Sequence, residues 1–133
     1  MNQKRETDWS LKMDVQKQIV FLPTNDLKAT THFYKNLLKL ELFIDQGDCV
    51  IFKSCENGYI GFCNRPVDIV SGKIILTLIV ENVDLVFEKL TSDRNIQVTP
   101  PTTNTKYRIY HFFLTDPNGY LVEFQKFLDE VSW

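Results

Sequence analysis

The sequence predicts an α+β fold built from two tandem βαβββ modules, and three observations carry that expectation. Hydrophobic periodicity along the chain reads as strand, helix and three strands, and then as the same order again. Each candidate helix follows an apolar strand and a capping side chain, Asp26 in one case and Asn82 in the other. Setting those caps against each other aligns Ile19 with Ile75. The stretch Asn-Gly-Tyr-Ile-Gly-Phe at 57–62 also resembles Asn-Gly-Tyr-Leu-Val-Glu at 118–123, which aligns Phe62 with Glu123.

Taken in order, residues 1–17 are polar and read as an N-terminal arm, with Trp9, Leu11, Met13 and Val15 alternating as in an edge strand. Residues 18–22 form an apolar strand closed by Pro23. Thr24, Asn25 and Asp26 offer capping oxygens to a helix over 27–39, where Leu27, Thr31, Tyr34 and Leu38 share one face. Strands over 41–45, 49–54 and 59–64 follow, with Gly47 and Gly58 in the turns between them. A linker over 65–71 leads to a strand over 73–80. The helix over 83–90 then places Val83, Val86, Phe87 and Leu90 on one stripe. Strands at 96–99, 108–115 and 120–127 complete the second module. Asp116, Pro117, Asn118 and Gly119 join the last two as a turn, with proline and glycine at their preferred positions. The modules thus span about 18–64 and 73–128 within one domain over 18–128, and 129–133 is a short tail.

Composition narrows the function. At 133 residues and 15.6 kDa the chain fits a single domain, long enough to fold without a disulfide or a metal. The net charge is -2, the pI is about 5.6, and no basic stripe runs along any segment. Nucleic acid and anionic membranes are therefore excluded as expected partners. The longest apolar run, 74–80, is far too short to span a bilayer, and the N-terminus has no signal-like apolar stretch, so a cytoplasmic location is expected. Cys49, Cys55 and Cys63 match neither a redox motif nor a zinc spacing and are expected as buried free thiols. Ten Phe suit either a core or an apolar pocket.

Two longer stretches carry a resemblance. IVFLPTNDLKATTHFYKNLLKL, from Ile19, is similar to the opening of a vicinal-oxygen-chelate module, and VTPPTTNTKYRIYHFFLTDPNGYLVEF, from Val98, to its close. The chain thus resembles the superfamily of glyoxalases, bleomycin-resistance proteins and extradiol dioxygenases over about 18–128. The resemblance implies a glyoxalase-like, half-open, cup-shaped mixed sheet with ligands on its concave face. It also implies a homodimer. Metal-dependent members draw ligands from positions that align with Ile19, Phe62, Ile75 and Glu123 here. Three of these four are carbon-only side chains and offer a divalent ion little in place of its hydration. No metal or other cofactor is therefore expected.

Alternation along the last strand puts Leu121, Glu123 and Gln125 on one face, and Tyr120, Val122 and Phe124 on the other. By the resemblance, Ile19, Phe21, Phe62, Ile75, Thr77 and Glu123 line the cup. Glu123 is its polar anchor, suited to a ligand's cationic or hydrogen-bond-donating group. His111 reads as a hydrogen-bonded or exposed strand residue rather than a ligand to metal. The expected function is metal-free binding of a small amphipathic, cationic or aromatic molecule, and no catalytic residue is assigned. The alternative is an enzyme of the same superfamily (lyase, isomerase, dioxygenase or thiol transferase) using Glu123 with or without a metal.

Overall fold

The computed structural model describes residues 13–68, 72–92, 96 and 98–133. Strand β1 (Gln18–Thr24) leads through the Asp26 cap, whose side chain accepts from Ala29 N, into α1 (Leu27–Thr31). That helix continues as a π-helical stretch, His32–Leu37. Strands β2 (Glu41–Asp45), β3 (Cys49–Lys53) and β4 (Gly58–Asn64) complete the first half. The second half repeats the order: β5 (Ile75–Ile79), α2 (Val83–Thr91) capped by Asn82, β6 (Thr102–Asn104), β7 (Ile109–Thr115) and β8 (Leu121–Phe127). Each half forms a mixed four-stranded sheet, ordered β1-β4-β3-β2 and β5-β8-β7-β6, in which the first strand runs parallel to the last. The fold is α+β and glyoxalase-like.

One face of each sheet is covered by its helix. Tyr34 is fully buried and packs on Phe62 and Phe52, with ring centroids 4.6 and 5.8 Å away. In the second half Phe87 of α2 meets Phe112 edge-on, and Phe112 stacks on Phe124. Burial of each such ring is worth roughly 1.5–3 kcal/mol, so the surplus Phe is largely core. The halves dock through the Asp116–Gly119 turn. Asp116 accepts from Tyr34 Oη at 2.8 Å and from the backbone N–H groups of Asn118 and Tyr120. Asn118 accepts from Thr24 Oγ1 and donates to Thr30 Oγ1, and Tyr120 Oη donates to the Pro23 carbonyl. Burial, then the Asp116 carboxylate beside it, pushes the Tyr34 hydroxyl well above the usual phenol range.

Several expectations are corrected here. Pro23 does not close β1, because the strand carries on to Thr24 beside Asn64. The first helix is not α-helical to Lys39. Its Leu38 N–H bonds the Phe33 carbonyl five residues back, and Thr31 Oγ1 takes the Leu27 carbonyl, a bond that loosens the helix at the point of change. Lys39 ends it with a left-handed φ of 61°, and Leu40 N–H returns to the Tyr34 carbonyl. The sixth strand lies at Thr102–Asn104, after the Pro100–Pro101 pair. Of 96–99, Val98 makes a single bridge to Leu114, Thr99 bonds Phe113, and residue 97 lies outside the described residues. Within the arm, 1–12 lie outside the described residues, and Met13 and Val15 are exposed.

The cysteines are not three buried thiols. Cys49 and Cys63 face each other across β3 and β4, Cα atoms 4.1 Å apart, and form a disulfide, while Cys55 is free and exposed. The next pair along, Asp48 and Asn64, carries a ladder hydrogen bond. The cysteines therefore occupy a non-hydrogen-bonded position, where side chains come closest. Strand spacing alone, five and seven residues, does not reveal that pairing. Among the described residues no helix is long and apolar enough to cross a membrane.

Candidate functional site

The face of the second sheet opposite α2 carries the polar cluster. In the parallel β5–β8 pair Thr77 lies beside Glu123, and in the antiparallel β7–β8 pair Phe113 opposes Glu123 and His111 opposes Gln125. Period-two alternation then brings Thr77, His111, Glu123 and Gln125 onto one face. Thr77 Oγ1 donates to Glu123 Oε1 at 2.6 Å, and His111 Nδ1 lies 2.5 Å from Glu123 Oε2. Glu123 is only 6% exposed and His111 8%. Burial alone would push the Glu123 carboxyl up. Hydrogen bonds from Thr77, Gln125 and His111, with the attraction of the imidazole when it is protonated, outweigh it and hold the carboxyl below its usual range. Glu123 is an ionised, fully engaged carboxylate rather than a bare one.

Glu123, His111 and Gln125 form the polar floor of a cavity of about 490 Å³, walled by Ile75, Ile109, Phe113 and Phe127, with Asn104 and Tyr107 also lining it. That size suits a small organic ligand. A larger cavity of about 1100 Å³ lies beside α1 and the π-helical stretch, lined by Lys28, His32, Phe33, Lys39 and Ile96. None of these five residues is fully buried, so among the described residues no desolvated polar group is shown converging on a ligand there.

Of the residues expected in the cup, Ile75 and Glu123 line this cavity, and Thr77, exposed on the neighbouring strand, bonds Glu123 from the side. Ile19 and Phe21 lie on the corresponding face of the first sheet. Phe62 is a correction: it is fully buried in the core beneath Tyr34, on the helix-covered face. Ile19 pairs with Tyr59 and Phe21 with Gly61, whereas Ile75 pairs with Leu121 and Thr77 with Glu123. The counterpart of Glu123 is therefore Gly61, one residue from the position that the sequence match indicates. A slip of one residue exchanges the faces of a strand. The Phe21 ring lies over Gly61, so close that an added Cβ would come within 2.5 Å of it.

The donor set does not fit a divalent metal. The four family positions become Ile19, Gly61, Ile75 and Glu123, and the remaining carboxylate already receives Thr77 and His111. Among the described residues no group of three His, Cys, Asp or Glu side chains could hold an ion. Apart from Ile75 and Glu123, the lining residues were not among those expected, and His111, Asn104, Tyr107 and Gln125 are the polar ones that sequence reasoning left out. For His111 a signal existed: counting strand register outward from the Asp116–Gly119 turn places it diagonal to Glu123.

Comparison with known proteins agrees with this architecture. No curated protein matches the chain significantly. Among solved structures, a glyoxalase/bleomycin resistance protein/dioxygenase from Nocardioides superposes with a TM-score of 0.74 at 15% identity, over 92% of this chain and 89% of that one. TnmS3, an antibiotic binding protein from Streptomyces sp. CB03234, gives 0.71 at 19% identity, over 86% and 98%. A lactoylglutathione lyase from Agrobacterium tumefaciens gives 0.66 at 20% identity, over 81% and 90%. At these identities the likeness speaks for the fold. The model of the Glyoxalase/Bleomycin resistance protein/Dioxygenase superfamily matches residues 16–124, and the chain belongs to that superfamily.

Proposed function

We propose that this protein binds a small, largely apolar molecule on the open face of its second sheet, without a metal. The observation that carries this reading is the state of Glu123. At the family's carboxylate position both oxygens are satisfied by the protein's own Thr77 and His111, inside walls of Ile75, Ile109, Phe113 and Phe127. A site of this kind draws affinity from apolar burial, roughly 25 cal/mol per Å² before ordering costs, and selectivity from its few polar groups. The structural likeness to an antibiotic binding protein accords with binding, and the likeness to a lyase keeps an enzyme as the competing reading.

The test is metal dependence. Added Zn²⁺, Mn²⁺, Fe²⁺ or Ni²⁺ should leave the melting temperature unchanged, whereas native-state binding at 100 times Kd would stabilise by about 2.7 kcal/mol. A saturable rise in melting temperature that disappears in Glu123→Ala would overturn the metal-free reading. The proposal extends to assembly. Ile19, Phe21, Phe43 and Ile44 of the first sheet are each between 40% and 48% exposed, and we read them as the surface that a second copy covers.

A further inference from the structure

Resting on that reading of the site, we infer that His111 Nε2 is the group the ligand meets, and that the site selects planar apolar molecules bearing a hydroxyl donor, of the phenol class. An ionised carboxylate can only accept hydrogen bonds, so Nδ1 of His111, 2.5 Å from Glu123 Oε2, carries a proton. With that proton on Nδ1, the neutral form of an imidazole has its lone pair on Nε2. No described residue bonds Nε2, and among the described residues no buried side-chain nitrogen or oxygen lacks a partner. His111 lines the cavity, and with Nδ1 held by Glu123 its Nε2 is the ring nitrogen left to face a ligand.

The surroundings make this acceptor selective. Phe113 stands edge-on to the imidazole, ring centroids 5.1 Å apart, and Ile75, Ile109 and Phe127 supply the remaining apolar wall. Of the other polar groups, Gln125 bonds Glu123 and Asn104 Oδ1 accepts from the Tyr107 backbone N–H at 3.0 Å, while Tyr107 itself is 64% exposed. A hydroxyl brought by the ligand meets a lone pair in a poorly hydrated place. An ether at the same position would leave that acceptor desolvated and unmatched. Glu123 acts here as a positioning residue, since it selects which imidazole nitrogen faces the ligand.

The experiment is isothermal titration of the full chain at about pH 8, above the ordinary imidazole range, with three probes: naphthalene, 2-methoxynaphthalene and 2-naphthol. All three fit a cavity of about 490 Å³. The expected result is that 2-naphthol binds roughly 3–10-fold more tightly than 2-methoxynaphthalene, the worth of one hydrogen bond. His111→Phe keeps a ring and removes the acceptor, so it should bring 2-naphthol down to the affinity of the ether. Glu123→Gln frees the imidazole to adopt either tautomer. It should shrink the preference for 2-naphthol while naphthalene still binds, a change that mere loosening of the fold would not produce. Equal binding of 2-naphthol and its methyl ether by the wild-type chain overturns the inference and leaves metal-free binding standing. A preference that survives in folded His111→Phe also overturns it, because another group must then be the acceptor. If none of the three probes binds at millimolar concentration, the proposed function itself fails.

Discussion

At the scale of single residues, the site turns on how Glu123 is kept charged in a nearly dry place. A carboxylate there is tolerable because Thr77 and His111 hold one oxygen each. Its pKa lies below the ordinary glutamate value of 4.5. The network therefore contributes its full stability above that pH and loses it as pH falls through the lower, folded-state value. Thr77→Val deletes one donor at constant shape. We expect it to cost roughly 1.5–3 kcal/mol at neutral pH, the range for hydrogen bonds to charged groups, and to move acid unfolding to higher pH. Denaturant melts from pH 3 to 7 check both expectations, and an acid midpoint identical to wild type would contradict the role given to Thr77. Glu123 was legible from the sequence, as was the face it occupies, because alternation in a strand is local. Phe62 was not. Five residues separate the last paired residues in both hairpins, but Asn118–Gly119 sits one position earlier in its turn than Asn57–Gly58, and that offset puts Gly61 on the open face and Phe62 in the core.

At the scale of elements, the first helix and the bridged strands depart furthest from local propensity. Lys39 terminates the π-helical stretch at φ 61°, a conformation in which a Cβ costs roughly 1–2 kcal/mol and which glycine adopts freely. Lys39→Gly should therefore raise stability by about 0.5–1 kcal/mol, once the greater freedom of an unfolded glycine is subtracted. A loss in thermal melts would show that the lysine side chain has a role of its own. The Cys49–Cys63 bridge spans a sequence separation of 14. Closing a loop of that length is worth about 3 kcal/mol in the chain-entropy account. Double replacement by serine should lower stability by up to that amount, and the wild type should show one reactive thiol, Cys55, in a non-reducing thiol titration. Three reactive thiols would mean that the bridge does not form in solution. Bridges of this kind persist in oxidising compartments and are scarce in reducing ones, so redox surroundings decide how much of this stability the protein has.

At the scale of the whole molecule, the Asp116–Gly119 turn is less a hairpin connector than the joint between two halves. Asp116 and Asn118 satisfy Tyr34, Thr24 and Thr30, all fully buried in the first half. Tyr34→Phe removes one hydroxyl and leaves a buried carboxylate oxygen one donor short. We expect a loss of roughly 1–3 kcal/mol, with a single cooperative transition retained, because both halves share one core. Two separate transitions in calorimetry would show that the halves unfold independently. The exposed Ile19, Phe21, Phe43 and Ile44 lead to an expected homodimer. Light scattering that gives a monomer mass at micromolar concentration would contradict it.

Taken alone, the sequence determined the order of the elements, the duplication, the two helix caps, and the alternation that puts Glu123 opposite the core. Each of these is written in spacings of two to four residues, where backbone geometry leaves few choices. The superfamily was legible for the same reason, since its end signatures are local turns and caps. Only the tertiary structure decided that Gly61 rather than Phe62 faces outward, that Cys49 meets Cys63, and that the helix widens at His32. It alone showed that His111 and Thr77 close around Glu123. Each of these depends on strand register and on groups distant in the chain, and a shift of one residue in pairing reverses which side chains meet.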